Sequence, residues 1–199
     1  MVTREQNGKP DVAPEGLEVL RLFMNTRDLE AEFDELDEAT HLATWLQSHE
    51  LLRAGETVDQ ADVAKAVRLR EAIRAVLRDR SDPSRASAAA AAFNMAAQSA
   101  APLQVEISPD LVIKLVSTRS GVPRALARIV AAVAEHAGTP CWERLKVCSN
   151  PDCQWAFYDH ARNKTGRWCN MATCGNKSKA KSYRRRQVEA ATASIPKTP

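Results

Sequence analysis

Aromatic residues are scarce in this chain: 199 residues include four tryptophans, four phenylalanines and two tyrosines. Four of these ten, Trp155, Phe157, Tyr158 and Trp168, crowd into one short segment near the C-terminal end. Long apolar runs are missing as well. None approaches the roughly 18 residues that a membrane-crossing helix needs, and the polar opening from Met1 to Pro14 has no apolar stretch of the kind a secretion signal carries. These absences predict a cytoplasmic protein. Histidine is limited to His41, His49, His136 and His160, widely spaced along the chain. No sequence-local nucleophile or phosphate loop accompanies them, so an enzyme is not expected.

Acidic residues vanish from one long segment. From Arg162 to Arg186 there are nine Lys or Arg and no Asp or Glu. The net charge of +3 conceals this, because residues 142–199 hold 12 basic and 4 acidic residues, leaving 16 basic and 21 acidic for residues 1–141. Such a split marks a segment that faces nucleic acid or a membrane, or a solvated charged tail. The hydrophobic share of 44% is that of an ordinary soluble protein. The length suits one domain of usual size with a small appendage.

Periodicity predicts a mainly helical body with one β-hairpin, an α+β arrangement. Residues 1–13 read as a disordered leader. A first helix spans Pro14 to Thr26 and a second Asp34 to Leu52, with acids in its first turn. Thr57 or Asp59 caps a third helix that runs to about Arg78, its apolar face built from Val63, Val67, Leu69, Ile73, Val76 and Leu77 while its arginines and Glu71 look outward. Pro83 opens a fourth through the alanine run. Leu103–Ser108 and Leu111–Ser117 are the convincing strands, joined by the turn residues Ser108, Pro109 and Asp110. A fifth helix covers Gly121 to Glu135. The body, residues 14–140, is expected to have its own core, with a separate module over 141–190 and a disordered tail over 191–199.

The module is defined by cysteine. Cys148, Cys153, Cys169 and Cys174 are spaced C-x4-C-x15-C-x4-C. Each close pair can offer two sulfurs to one ion, and the longer separation lets the second pair fold back to complete a tetrahedron. Four thiolates in that pattern favour one structural Zn²⁺, with an iron–sulfur cluster or four free thiols as alternatives. A four-thiolate site leaves no open position for a catalytic water. Asn150, Pro151 and Asp152 supply the turn inside the first pair. His160 is a candidate substitute ligand, or a loop-surface residue. Cys141 lies outside the pattern and is expected to be a small buried hydrophobe.

Beyond the last cysteine, Lys177, Lys181, Arg184 and Arg185 share one face if a helix starts at Gly175 or Asn176. Lys179 and Arg186 form a neighbouring stripe and Tyr183 interrupts the charge. Four thiolates with one Zn²⁺ subtract about two charges locally, which leaves the module strongly basic. The face suits DNA, with Lys181, Arg184 and Arg185 as phosphate contacts and Arg167 or Asn176 as base readers. Arg162, Lys164, Lys177, Lys179 and Tyr183 complete the candidate nucleic-acid surface. A solvated helix and a basic surface for an acidic protein partner are the alternatives.

These residues resemble the CGNR zinc finger. The likeness covers Cys148…Cys153, Phe157-Tyr158-Asp159, Arg162-Asn163, Arg167-Trp168-Cys169-Asn170-Met171 and Cys174-Gly175-Asn176-Lys177, followed by Lys179–Arg186. Lys177 departs from the family's arginine, Ala161 from a small hydroxyl residue, and Thr165-Gly166 loosens the basic run. Such fingers usually follow an ABATE domain, associated with candidate stress-responsive transcription regulators. Residues 14–140 resemble it through Phe23-Met24-Asn25-Thr26, Arg27-Asp28 and Trp45-Leu46. That resemblance implies a helical domain with a small sheet that senses a small molecule, with Asn25 and Arg27 as candidate pocket residues. Alternatively, Asn25-Thr26 caps the turn after the first helix. The expected protein is therefore a zinc-binding, DNA-binding transcription regulator with a ligand-sensing or dimerising N-terminal domain. The competing reading is a zinc-stabilised adaptor for an acidic protein.

Overall fold

The computed structural model describes residues 5–6, 9–14 and 16–193. Helices dominate, and among the described residues every strand belongs to a two-stranded antiparallel sheet. Glu5–Gln6 (β1) pairs with Lys9–Pro10 (β2). Leu17–Met24 (α1) follows, and then a short hairpin of Arg27–Asp28 (β3) and Phe33–Asp34 (β4). Helices Ala39–Ser48 (α2), Gln60–Asp79 (α3) and Pro83–Ala100 (α4) lead to a second hairpin, Leu103–Ile107 (β5) with Ile113–Ser117 (β6). Val122–His136 (α5) and a 3₁₀ turn, Trp142–Arg144, precede Leu145–Val147 (β7) and Ala156–Tyr158 (β8). Asn176–Ala193 (α6) closes the described chain. Among the described residues, no helix is long and apolar enough to cross a membrane.

Local signals fix several boundaries. Asp59 caps α3, accepting from the Asp62 N–H at 2.8 Å, and Asp62 answers with a bond to the Asp59 N–H, a reciprocal capping box. Asp82 caps α4 ahead of Pro83. The alanine run is folded helix, and its small side chains let α4 lie close along α3. The second helix is shorter than its pattern predicts. The acids that precede it are used elsewhere: Asp34 belongs to β4 and accepts the Leu36 N–H, while the N–H groups of Leu51 and Leu52 fold back on the Leu46 carbonyl.

Two expectations need correction. The described part of the leader is ordered: β1 and β2 pair, and the Asp11 carboxylate is buried, lies 3.5 Å from the Arg21 guanidinium and accepts the Tyr158 N–H at 3.0 Å. Residues 1–4 and 7–8 of that leader lie outside the described residues, as do 194–199 of the expected tail, whereas 191–193 continue α6. The second correction concerns α3. Its arginines do not all look outward, because the helix is packed on more than one side, against α4, α1 and β7. Arg70 and Arg74 are among the most deeply buried side chains in the protein.

Burial of two guanidiniums requires every charge to be met. Arg70 grips Asp34 with two bonds of 2.6 and 2.7 Å, and also reaches the Thr26 hydroxyl and Glu71. Arg74 binds Glu71 at 2.9 Å and donates to two carbonyls, Met24 at 2.5 Å and Gln154 at 2.6 Å. The first carbonyl ends α1 and the second lies between β7 and β8, so one side chain ties three elements together. Burial works against the charge of Asp34, but the hydrogen bonds and charge of Arg70, with smaller help from the Leu36 N–H and Arg27, hold its carboxyl below the ordinary range.

Replacing Arg74 with Met keeps length but strands the Met24 and Gln154 carbonyls and leaves Glu71 to Arg70 alone. The expected loss is about 3–5 kcal/mol, read as a lower denaturant midpoint at unchanged slope. Asp34 gives a pH test. Because its folded value is depressed, its stabilisation is present above the unfolded value of about 4 and is lost as pH falls through the folded value. Asp34→Asn should therefore lower stability at neutral pH and flatten the acid side of the stability–pH curve, measured by urea titration at a series of pH values.

Candidate metal centre and basic helix

β7 and β8 bring the first two cysteines together. Cys148 follows β7 directly, and its N–H bonds to the Trp155 carbonyl at 2.9 Å. The intervening turn is built on Asn150, whose carbonyl accepts the N–H groups of Cys153 and Gln154, both at 3.0 Å. The loop that follows returns alongside: the Ser149 N–H bonds to the Arg167 carbonyl, placing Cys169 over the first pair. Asn170 then caps a π-type turn, Met171–Gly175, by accepting from Ala172 and Thr173. That turn carries Cys174 inward and passes straight into α6.

The four sulfurs are buried and lie within 4.8 Å of one another. Cys153 to Cys169 is 3.7 Å and Cys169 to Cys174 is 3.8 Å, far beyond the roughly 2 Å of a disulfide. A tetrahedron with zinc–sulfur distances of about 2.3 Å has edges of about 3.8 Å. The residues thus fit one structural zinc, and the space between sulfurs suits a single ion better than a cluster of irons. Hydrogen bonds from the Cys153 and Cys169 thiols hold Cys148 as thiolate, down to about 4. The same contacts push Cys153 and Cys169 up, with burial adding to both. Four thiolates can coexist here only around a dication.

Two glycines sit at close approaches. A Cβ on Gly175 would collide with the Met171 sulfur, and one on Gly166 would sit 2.8 Å from the Asp159 carboxylate. Asp159 organises the loop between the cysteine pairs. It is buried, accepts the Gly166 N–H at 2.7 Å and the Ala161 N–H at 3.0 Å, and pairs with Lys146 at 2.7 Å. Burial opposes its charge, yet Lys146 and these two N–H groups keep its carboxyl below the usual range. His160 is exposed and packs edge-on against Tyr158, consistent with a surface position. Cys141 is exposed, contrary to expectation, because the following Trp142 takes the inward position.

The predicted basic residues separate into two groups. Lys177, Lys179, Lys181, Arg184 and Arg185 lie exposed along α6, with Asn176 at its start and Tyr183 60% exposed on it. Ser178 and Ser182, one turn apart, are half-buried. Lys177 pairs with Glu30 of the β3–β4 turn, which raises the lysine's affinity for its proton. The second group lies on the preceding loop. Arg162 is exposed, Lys164 pairs with Glu143 at 2.8 Å, and the Arg167 guanidinium rests 5.4 Å from the Trp168 ring centre.

Asn25 is where the sequence pattern was least informative about purpose. It ends α1, as the capping alternative holds, and Thr26 donates to the Phe23 carbonyl at 2.7 Å. Its amide is engaged across the protein: the side-chain NH₂ donates to the Ala156 carbonyl and its oxygen accepts the Ala156 N–H, both at 2.8 Å. Asn25 thus pairs with β8 as a neighbouring strand would. Arg27 is a third exposed and lies 3.8 Å from Asp34. Asn25, Asp159 and Arg74 are docking and loop-organising residues that periodicity alone does not single out. Only their partners, distant in sequence, reveal them.

The hydrophobic core does not stop at the expected boundary near residue 140. Leu145, Val147, Ala156 and Tyr158 belong to the main core, whereas Phe157 packs with Trp155 and the cysteines. Metal analysis should find about one zinc per chain. Chelation or Cys169→Ser should cost the small lobe on the order of 10 kcal/mol and also lower the melting temperature of the helical body. An unchanged body melt would show that the two cores are independent.

The CGNR zinc finger model matches residues 144–187. The ABATE model, described as "Putative stress-induced transcription regulator", matches residues 20–142. Neither description is that of an enzyme. No curated protein matches the chain. With more than half its length under the second model and the four sulfurs placed for one ion under the first, the chain belongs to the ABATE family and carries a C-terminal CGNR zinc finger.

Proposed function

We propose that this protein is a DNA-binding transcription regulator in which zinc sets the position of α6 and α6 binds the phosphate backbone. The observation that carries the reading is the exposed basic side of α6, held at its first turn by Cys174 and free of acidic residues from 162 to 186. Lys181, Arg184 and Arg185 are the phosphate contacts. Lys177 joins them by exchanging Glu30 for phosphate, an exposed pair whose loss costs little. Arg167, supported on Trp168, and Asn176 at the helix start are the base readers. Arg162 and Lys164 extend the positive surface along the preceding loop, Lys164 at the expense of its bond to Glu143.

In this reading residues 14–140 form the regulatory unit and 141–190 the DNA-binding unit of a cytoplasmic protein. A small-molecule effector of the first unit would reach the second through Asn25 and Arg74, whose bonds to Ala156 and Gln154 span the two. The alternative, an adaptor for an acidic protein, uses the same charges without a nucleic acid.

Binding to duplex DNA, measured by fluorescence anisotropy over a salt series, distinguishes them. The wild type should show a log–log slope of about −0.9 for each phosphate neutralised. Lys181→Ala, Arg184→Ala and Arg185→Ala should each weaken binding and flatten the slope by about one contact. Salt-independent binding, or none, overturns the proposal, and genomic footprints that persist in the triple variant would move the contact away from α6.

A further inference from the structure

The β5–β6 hairpin has two unlike faces. Opposite residues on an antiparallel pair share a face, and the register pairs Val105 with Leu115, Ile107 with Ile113 and Glu106 with Lys114. One face is therefore aliphatic apart from Ser117 at its base, while the reverse carries Gln104, Val116 and the oppositely charged Glu106 and Lys114. At the base of the hairpin the aliphatic face belongs to the protein's own core, since Leu103 packs against it and Leu115 is half-buried. Further out the same face continues into solvent. Val105 is 66% exposed, Ile107 63% and Ile113 68%, and the adjoining tip adds Leu111 at 82%.

Leu111 sharpens the contrast. It sits at φ 62°, in the left-handed region that a bulky side chain adopts only at a cost, with its side chain directed to water. Among the described residues, β5 and β6 pair only with each other, so their outer edges also remain open. An apolar face with open edges is the kind of surface that other chains capture. Here it is a continuation of an existing core rather than an isolated patch.

We infer that the projecting half of this hairpin is the interface of a homodimer, in which two copies lay their outer aliphatic faces against each other about a two-fold axis. Three features favour a second copy over an unlike partner. The aliphatic face carries no charge, so two copies can meet on it without placing like charges opposite each other. The charges on the reverse face include both signs and do not repel a like copy. The four exposed side chains, Val105, Ile107, Leu111 and Ile113, present on the order of 500 Å² of apolar surface, at the upper end for a monomer. Two copies remove about 1,000 Å², which reaches the threshold of a specific interface before any edge pairing is added. A dimer also presents two α6 helices, which suits a two-fold symmetric DNA site, but the interface stands on the hairpin alone.

Sedimentation velocity of the zinc-loaded full chain, from about 1 to 100 µM, tests this. The wild type should run as a dimer of 21.9 kDa chains, and Ile107→Lys/Ile113→Lys should run as a monomer with an unchanged helical circular dichroism spectrum. Leu111→Gly gives a second arm that protects against misfolding. Glycine relieves the left-handed backbone, so the folded monomer should be retained while the dimer dissociation constant rises at least tenfold. A wild type that stays monomeric across the range, or a dimer that survives both variants, overturns the inference. DNA binding does not enter the readout, so failure here leaves the α6 proposal standing, and failure there leaves this one.

Discussion

The cysteine lobe depends on a strand pair only three residues long on each side. Side chains alternate across a strand, and β7–β8 uses that alternation to belong to two cores at once. Leu145, Val147, Ala156 and Tyr158 face the helical body, while Phe157 turns to the cysteines. A one-residue slip in register would send both sets to the wrong side. The register is held from outside the pair. Asn25 clasps both backbone groups of Ala156, Asp11 accepts the Tyr158 N–H, and Arg74 binds the Gln154 carbonyl. The metal site is consequently an extension of the body, and its geometry is set partly by residues more than 70 positions away.

The helical body was largely legible in the sequence, and the reasons are physical. Asp59 and Asp82 are side-chain caps whose signal is local, and Pro83 marks a first turn by its missing N–H. The β5–β6 hairpin was legible for the same reason, because aliphatic runs flank turn residues. The short pairs were not. β3–β4 and β7–β8 span two and three residues per strand, too few for a period of two to stand out. Arg70 and Arg74 show a different limit. Guanidiniums on a helix are ordinarily solvent-facing, and what buries these two is a set of partners, Asp34, Met24 and Gln154, that no local window contains.

The candidate site divides along the same line. Cysteine spacing identified all four ligands, because a tetrahedral ion imposes its own short-range pattern. The scaffold around them was visible only in part. The spacing predicts the turn at Asn150, whereas Asp159 stands out only through the family resemblance, although its carboxylate gathers Lys146, Ala161 and Gly166 into one loop. Thr165-Gly166, which reads as a loosening of the basic run, is instead the place where a side chain would strike that carboxylate.

Zinc and the basic helix are linked by chain direction as much as by charge. Cys174 lies in the π-type turn that ends at Gly175, and α6 begins at the next residue, so the ion fixes the helix within one turn of its origin. Along α6, Ser178 and Ser182 are half-buried and the lysines and arginines from Lys177 to Arg186 are exposed. Its sequence has little apolar periodicity of its own, and helices of that kind depend on an anchored first turn to stay formed. Orientation is therefore imposed at one end only. The Glu30–Lys177 pair adds a second contact to that end, from the acidic turn of the body. A charge placed on that turn, or removed from it, acts at the pivot of the helix, where a small angular change displaces the far arginines most.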